Sequence, residues 1–441
     1  MMTREQAQKL AEQILSYSRF PECDVRVNES EEAYIRFANN GVTTSGVVTE
    51  QRIHIRSTRD GRTGSVALTE TSPAALKAAV ARSEELARLS PVNPEHMPPP
   101  GAQEYPDTGK FHDETANARS AEMIPEIKAI IDAAVKQKLQ SAGFFARSTS
   151  ASAVANKAGL SAYTRSADAR LSTTLRKPDG SSSGWAAQPG VKISDIRGAD
   201  LAERAIAKCQ AWVKPRRLEP GRYTVVLEPT ATGDLFSRIY GSFDARSAEE
   251  GASFFARQGG GTLAGEKLFP EFITLRTDPN HSALPAEPWT GEWLPARPIV
   301  WIDKGVVKNL EYSRYWAARK DKDPTPDVDH LVLEGGDASL QDLIRSVDRG
   351  LLVTHFWYIR VVNPKTRQLT GLTRDGLFLI ENGEVTVPVM NFRFNESPFR
   401  MLQNVQRLGR AERMRGLEDN SMIAPPVVAG DFKFTSVSDA V

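Results

Sequence analysis

The sequence contains very little cysteine and has no long apolar run. Cys23 and Cys209 are the two cysteines among 441 residues, which excludes a disulfide-linked scaffold and a zinc site built from several thiolates. Both lie in apolar surroundings, which indicates buried free thiols. The most apolar stretch, residues 350–362, contains His355 and Arg360 and is too short to cross a bilayer. The first residues show no apolar signal-peptide core, so we expect a soluble cytoplasmic protein.

The chain also lacks an excess of charge of either sign. It has 56 Lys and Arg against 55 Asp and Glu, a net charge of +1. A protein that binds nucleic acid or an anionic membrane surface needs a basic surplus or a basic stripe. The composition, 40% hydrophobic and 25% charged, is typical of a soluble globular protein. We therefore expect neither a nucleic-acid partner nor a membrane partner.

The spacing of apolar residues predicts an α+β fold in two parts. In residues 1–214, helical patterns alternate with strand patterns, which indicates a two-layer domain with helices on an antiparallel sheet. A proline-rich strap at about 90–108 interrupts this part. Residues 215–441 read mostly as antiparallel β-structure, and Asn382-Gly383 is a strong hairpin-turn signal within it.

Several individual elements can be predicted from local patterns. Ser72 before Pro73 is a good helix start, and the Ser/Ala/Thr-rich residues 139–186 read as an antiparallel sheet. In the second part, one helix is expected to begin at Thr230 and to place Leu235, Phe236, Ile239 and Phe243 on one face. Shorter helical patterns are expected at about 338–348 and 397–412.

Metal-binding and nucleophile motifs are weak. The chain has no H-E-x-x-H, and the densest group of ligand-type residues is Asp327, Asp329 and His330. Strand-like alternation would put the two aspartates on one face and His330 opposite, although such a run is more often a solvated loop before a strand. Gly180 to Gly184 formally matches G-x-S-x-G, but its surroundings read as a turn rather than as the strand-to-helix junction that a nucleophile needs.

The residues alone therefore leave the function open. His355, among Thr354, Phe356 and Trp357, reads as a hydrogen-bonded core residue, with the floor of an aromatic groove as the alternative. A peptide-binding or scaffold role fits as well as catalysis, because open sheet edges could bind a peptide as an added strand.

A resemblance to a known family appears in the C-terminal part. The run G-L-T-R-D-G-L-F-L-I-E-N-G-E-V at 371–385, followed by Pro388-Val389, is similar to a run found in the TldD/TldE (PmbA) family. Residues 265–269, 335–340 and the final strand near Phe432 are similar as well. The resemblance implies cytoplasmic proteins with an α+β first half and a β-rich second half, which pair into dimers around an internal tunnel.

The resemblance also implies that this chain lacks the family's zinc site. TldD-type members carry H-E-x-x-x-H, with a cysteine near the C-terminus as a further ligand, whereas TldE-type members lack these ligands. The motif aligns with Ser237, Arg238 and Ser242, and neither cysteine lies near the C-terminal ligand position. Serine is a poor zinc ligand, and an arginine cannot act as the general base of a metallopeptidase.

What the resemblance implies for function is a TldE-like subunit with no catalytic residue and no metal or other cofactor of its own. A TldD-type partner would supply zinc in a heterodimer that degrades or trims unfolded peptides, and His355, Tyr358 and Arg374 are candidates for the tunnel or the peptide-binding surface. One alternative is a homodimeric peptide-binding protein without catalysis. Another is a hydrolase with relocated chemistry at His330, His355 and the neighbouring aspartates.

Overall fold

The computed structural model describes residues 1–415 and 421–438. The first part contains a six-stranded antiparallel sheet in the order β3-β2-β1-β4-β5-β6. Its strands are β1 (Glu22–Ala38), β2 (Gly41–Arg59), β3 (Arg62–Leu68), β4 (Gln140–Asn156), β5 (Ser161–Arg176) and β6 (Ser183–Gly190). The helices of this part are α1 (Arg4–Tyr17), α2 (Pro73–Leu89), α3 (Asp113–Ala116), α4 (Ser120–Lys136) and α5 (Gly198–Ala211).

The helices cover one face of this sheet, as the sequence predicts. Val25 and Val27 of β1 pack with α1 and α2, and Ile35 and Phe37, which have the same strand parity, pack with α4 and α5. The first part is therefore the two-layer domain expected from the alternating helix and strand patterns. Ser72 caps α2 by accepting from the Ala75 N–H.

Gly184 allows α5 to lie directly against β6. A Cβ atom at this position would be 2.2 Å from the Ala205 carbonyl oxygen and 2.5 Å from the Cys209 nitrogen, both of which belong to the backbone of α5. We therefore expect Gly184→Ala to lower the free energy of unfolding by about 1–3 kcal/mol, the usual cost of overpacking. Chemical denaturation would measure it.

Gly221→Ala is the matched control for this prediction. A Cβ atom there would have its nearest neighbour at 3.8 Å, in the Tyr223 ring, which is an ordinary contact. The control should change stability by less than about 0.5 kcal/mol. Equal effects at the two glycines would show that the close approach of α5 to β6 is not tight.

The second part is built mainly from β-strands. They are β7 (Arg222–Leu227), β8 (Leu275–Thr277), β9 (Ile299–Asp303), β10 (Val306–Val307), β11 (Leu331–Leu333), β12 (Arg349–Asn363), β13 (Gln368–Glu381), β14 (Glu384–Pro388), β15 (Phe392–Glu396), β16 (Val405–Leu408), β17 (Glu412–Arg415), β18 (Ser421–Ala424) and β19 (Val427–Val437). The helices are α6 (Pro229–Phe236), α7 (Ala245–Glu249), α8 (Arg314–Arg319), α9 (Leu340–Arg345) and α10 (Pro398–Gln403).

Five of these strands close into a ring. β12, β7, β19, β15 and β13 pair in that order, and β13 pairs again with β12. Phe356, Phe394 and Phe432 pack together among these strands, with ring centroids 4.6 to 5.9 Å apart. A second sheet follows the order β10-β9-β8-β11-β18-β17, and the core joins it to the ring. The mixed α+β class with a β-rich second part is confirmed.

The helix expected from Thr230 through Phe243 is wrong in its length. α6 ends at Phe236, and the amides of Arg238 and Ile239 then bond to carbonyls only three residues back. Gly241 follows in the left-handed region with φ +74°, which an α-helix does not accept. Ile239 and Phe243 are nevertheless fully buried, so the apolar spacing reflected burial rather than a continuous helix.

The two shorter helical patterns were also too long. α9 covers Leu340–Arg345, and α10 stops at Gln403. The residues after α10 form β16, in which Val405 and Leu408 pair with β19. The apolar spacing of these residues fits a helix as well as a strand, and in the structure they form a strand of the sheet.

Residues 90–108 run almost without regular secondary structure from α2 toward the second part. Tyr105 donates to the Trp293 carbonyl at 2.7 Å, and Thr108 donates to the Ala286 carbonyl at 2.9 Å. Trp212 reaches the same part, where its indole N–H donates to the Val389 carbonyl at 3.1 Å. The two parts are thus joined by contacts of the strap as well as by contacts next to the connection at 214–215, and the domain boundary there stays a prediction. Within the described residues, no helix is long and apolar enough to span a membrane.

Candidate functional site

The residues that the resemblance aligns with the family's zinc motif lie at the end of α6 and in the turns after it. Ser237 caps the helix, and its hydroxyl donates to the Asp234 carbonyl at 2.6 Å. Arg367, in the turn of the β12–β13 hairpin, donates to the backbone carbonyls of Arg238 and Tyr240, the latter at 2.9 Å. The hairpin turn therefore fixes the motif segment 237–242 from outside.

The side chains of this segment do not suit a zinc ion. The Ser237 hydroxyl is used by the helix end, and the Ser242 hydroxyl is buried without a hydrogen-bond partner among the described residues. Arg238 adds a fixed positive charge, and burial together with the charge of Arg360 lowers its pKa. In the part of the chain that the structure describes, no three His, Cys, Asp or Glu side chains form a metal-binding group. The donor set therefore does not fit the metal, since zinc needs imidazole, thiolate or carboxylate ligands.

A buried carboxyl group lies one helical turn before Arg238. Asp234 is 6% exposed, and its carboxylate accepts from the Phe356 N–H at 2.9 Å. Burial raises the pKa of Asp234 to about 6, although the charge of His355, the Phe356 N–H and the charge of Arg238 oppose this rise. Asp234 therefore holds a proton more readily than an ordinary aspartate does.

A second buried carboxyl group pairs with His355. The Asp375 carboxylate lies 3.2 Å from Nε2 of His355 and accepts from the Ser183 hydroxyl at 2.7 Å. The Trp185 ring packs on the imidazole at a centroid distance of 4.6 Å. His355 is fully buried, which confirms the hydrogen-bonded core interpretation. Because Ser183 and Trp185 belong to β6, this cluster joins the first sheet to the ring of the second part.

Asp375 stays ionised inside this cluster. Burial alone would raise its pKa, but hydrogen bonds from His355 and Ser183 and the charges of His355 and Arg374 together lower it to about 2. An ionised carboxylate only accepts, so Nε2 of His355 carries a proton. The Ser183 hydroxyl donates to Asp375 and not to the imidazole, so the three residues do not form the serine–histidine–aspartate relay of a hydrolase. The cluster is a buried hydrogen-bonded network between β6 and the ring of the second part.

Asp327, Asp329 and His330 do not converge. Residues 327–330 form a bend rather than a strand, and His330 adopts φ +47°, so the alternation of a strand does not apply to them. Asp327 accepts from the Gly291 N–H at 2.6 Å, whereas Asp329 lies 3.3 Å from Nε2 of His330. His330 thus interacts with Asp329, whereas His355 interacts with Asp375. The interpretation as a loop before β11 is confirmed.

An apolar strip is exposed on the β12–β13 hairpin whose turn holds the motif segment. We call it the hairpin ridge: Trp357, Tyr358, Val361 and Val362, with exposed fractions of 37%, 53%, 40% and 52%. The register of β12 shifts between Trp357 and Arg360, where Tyr358 takes φ +56°. This irregularity turns neighbouring apolar side chains toward solvent.

The three candidates for peptide contact occupy different positions relative to this ridge. Tyr358 belongs to it, and the Arg374 guanidinium lies 4.2 Å from the centroid of the Trp357 ring. His355 has no exposed surface. Their role in peptide binding stays a prediction. Sequence reasoning missed Ser183 and Asp234, because Ser183 falls in a stretch that reads as a turn and Asp234 resembles an ordinary helix residue.

Comparisons with known proteins agree with this architecture. Residues 220–436 match the model of the PmbA/TldA metallopeptidase C-terminal domain, and residues 23–87 match domain 1 of the same metallopeptidases. The metalloprotease PmbA of Escherichia coli O157:H7 is 21% identical over 254 residues, 55% of this chain and 53% of that protein. A metalloprotease of Methanothermobacter thermautotrophicus is 23% identical over 223 residues, 48% of each chain. The chain thus spans about half the length of the curated relatives it matches.

A solved structure extends the likeness of the fold to nearly the whole chain. The crystal structure of TldE from Thermococcus kodakarensis superposes with a TM-score of 0.85 at 22% identity, over 97% of this chain and 99% of that one. The two matched family models also lie in the same order as the two parts of the fold and together cover more than half of the sequence. The chain belongs to the PmbA/TldD metallopeptidase family.

Proposed function

We propose that this chain is a TldE-like, zinc-free subunit of a two-subunit peptidase of the TldD/TldE type that acts on unfolded peptides in the cytoplasm. A TldD-type partner carries the zinc ion, the general base and the activated water. This chain contributes part of the tunnel and of the peptide-binding surface. The observation that carries the proposal is the chemistry of the motif segment, where two serines and an arginine stand in place of the ligands and the base.

The geometry of the motif segment supports a structural role for these residues. Ser237 ends α6, and the carbonyls of Arg238 and Tyr240 hold the β12–β13 hairpin through Arg367. The segment therefore positions the hairpin ridge. An exposed strip with two aromatic rings, each beneath a guanidinium group, suits an extended peptide, which offers apolar side chains and carbonyl groups.

Metal content tests the zinc-free part of the proposal. We expect elemental analysis of protein purified without a metal-affinity tag to give zinc well below one ion per chain. A value near one per chain would contradict the proposal and would make Asp327, Asp329 and His330 the first residues to replace.

Mixing with a TldD-type chain tests the subunit role. We expect a complex in size-exclusion chromatography and a peptidase activity that neither chain shows alone. If this chain instead forms a dimer with itself and binds peptide without turnover, the homodimeric peptide-binding alternative replaces the proposal.

The hairpin ridge can be tested in the same assay. We expect Tyr358→Ser to raise the KM for an unfolded peptide about tenfold with a smaller change in kcat, because it removes binding surface and leaves the partner's chemistry intact. Val135→Ser is the control, since Val135 is exposed to a similar extent, at 57%, but lies on α4 of the other part. An equal KM in the two variants would show that the hairpin ridge is not part of the peptide-binding surface.

A further inference from the structure

A second concave site lies away from the motif segment, beneath the proline-rich strap. The cleft has a volume of about 570 Å³. Its walls are residues 103–111 of the strap, which continues past residue 108 without regular secondary structure, together with the start of α1, the first residues of β5 and Pro288. This volume is in the range of small-molecule sites. Most of its lining belongs to the first part of the fold, and none of it belongs to the motif segment or the hairpin ridge.

Two arginines line this cleft, and each lies over an aromatic ring. The Arg165 guanidinium carbon is 3.9 Å from the centroid of Phe111, and that of Arg4 is 5.5 Å from the centroid of Tyr163. Stacking on a ring holds a guanidinium in place and leaves its N–H groups free to donate sideways. Both cations are thus oriented before any ligand arrives.

Neither guanidinium forms an ion pair with a carboxylate among the described residues. Among residues 1–415 and 421–438, no carboxylate oxygen lies within 4.0 Å of Arg4 or Arg165. The one acidic residue in the lining, Asp107, is therefore beyond ion-pair distance of both. The residues that line the cleft carry two positive charges against one negative charge, and they also offer the hydroxyl groups of Ser161 and Thr164.

The walls of the cleft are fixed by hydrogen bonds and close packing. The Lys110 carbonyl accepts from the Ala167 N–H at 2.7 Å, which ties the strap to the edge of β5. A Cβ atom at Gly109 would be 2.4 Å from the Arg165 carbonyl oxygen, so the strap lies directly on the strand. The Tyr163 hydroxyl donates to the Met2 carbonyl at 2.8 Å, and this bond links β5 to the segment before α1. The three elements that carry the arginines and the rings are thus held together.

We propose that this cleft binds a small polar molecule through an oxyanion, a carboxylate or a phosphate group, held by the guanidinium groups of Arg4 and Arg165. Guanidinium groups donate paired hydrogen bonds that match the geometry of both kinds of oxyanion. The space beyond the two cations accommodates the rest of such a molecule against Ser161, Thr164 and Gln103.

Isothermal titration calorimetry at low ionic strength tests the site, with inorganic phosphate in one arm and succinate in the other. We expect one-site saturable binding of at least one of the two anions, and the arm that binds identifies the anion class. Arg165→Gln and Arg4→Gln should each weaken that binding at least tenfold, because each removes one charged donor. Arg36→Gln is the control, since Arg36 is an exposed arginine on β1 outside the cleft.

The two variants lie on different elements, so a local folding defect in one does not account for a loss in both. Thermal melting of each variant checks that the chain remains folded. The absence of saturable binding of both anions in the unsubstituted protein overturns the proposal. So does binding that either arginine variant leaves unchanged, or binding that Arg36→Gln weakens to the same extent.

Discussion

Replacing Asp375 by alanine is expected to lower the free energy of unfolding by about 3–5 kcal/mol at neutral pH. The substitution removes the ionised acceptor that faces Nε2 of His355 and the Ser183 hydroxyl. His355 is fully buried, and Ser183 is 1% exposed, so water cannot replace the lost acceptor. Each of these groups is left without its partner in a region of low polarity, where an unmade hydrogen bond is costly.

Asp431→Ala is a close control for this substitution. Asp431 also pairs with two cations, Arg222 at 2.7 Å and Arg400 at 3.3 Å, but its side chain is 45% exposed. Both aspartates have left-handed backbones, with φ +52° at Asp375 and φ +58° at Asp431, so alanine meets similar backbone strain in each. We expect Asp431→Ala to lower the free energy of unfolding by about 1 kcal/mol or less beyond the cost of that strain.

Chemical denaturation of the two variants measures the difference. A double-mutant cycle that adds His355→Leu isolates the energy of the Asp375–His355 pair, and we expect the second substitution to recover part of the loss. If Asp375→Ala costs no more than Asp431→Ala, burial does not strengthen this pair, and the cluster does not join the two parts of the fold energetically.

Local chemistry explains which parts of the fold could be predicted. The turn at Asn382-Gly383 has φ +52° and φ +76°, the left-handed values that this dipeptide favours. The cap at Ser72 likewise depends on residues within one turn of the chain. The end of α6 could not be read in this way, because Ile239 and Phe243 remain buried after the helix stops. A helix and a series of turns can place apolar side chains in the same core.

The candidate site likewise has features that could be predicted from the sequence and features that could not. The resemblance to the family placed Ser237, Arg238 and Ser242 at the zinc-motif positions, and this alignment stays a prediction. The Ser183–Asp375 hydrogen bond joins residues 192 positions apart. No local pattern encodes such a contact, since it exists only after β6 packs against the ring of the second part. The buried network was therefore beyond sequence reasoning, although its histidine was already a candidate.

The other large effect that we expect is a loss of stability as the pH rises from about 4 to 8. Burial raises the pKa of Asp234 from 3.8 to about 6. Burial and the charges of Asp327, Asp244 and Glu292 raise the pKa of Glu311 from 4.5 to about 7. The folded chain therefore holds two protons in a pH range where the unfolded chain releases them. Each group contributes about 3 kcal/mol that is fully present below its unfolded pKa and is lost as the pH passes its folded pKa.

The pKa of Asp375 shifts in the opposite direction, and Asp375 therefore makes the folded chain less stable at the acidic end of the range. Its pKa falls from 3.8 to about 2 in the folded chain, so its stabilising contribution is present above pH 3.8 and is lost as the pH falls toward 2. The free energy of unfolding should therefore be greatest near pH 4. Urea denaturation at constant ionic strength between pH 3 and pH 8 would show this maximum.

Two substitutions test which groups cause the loss of stability between pH 4 and pH 8. Asp234→Asn keeps an oxygen that can accept from the Phe356 N–H but removes the titrating proton, and Glu311→Gln does the same at the acidic cluster. Each should flatten the decline between pH 4 and pH 8 by about half, whereas Glu384→Gln, on the exposed start of β14, should leave the profile unchanged. A profile that keeps its full slope in Asp234→Asn would mean that Asp234 is not protonated in the folded chain. The charge of His355 would then outweigh the burial of Asp234, and Asp234, His355 and Asp375 would form one ionised network between the motif segment and the first sheet.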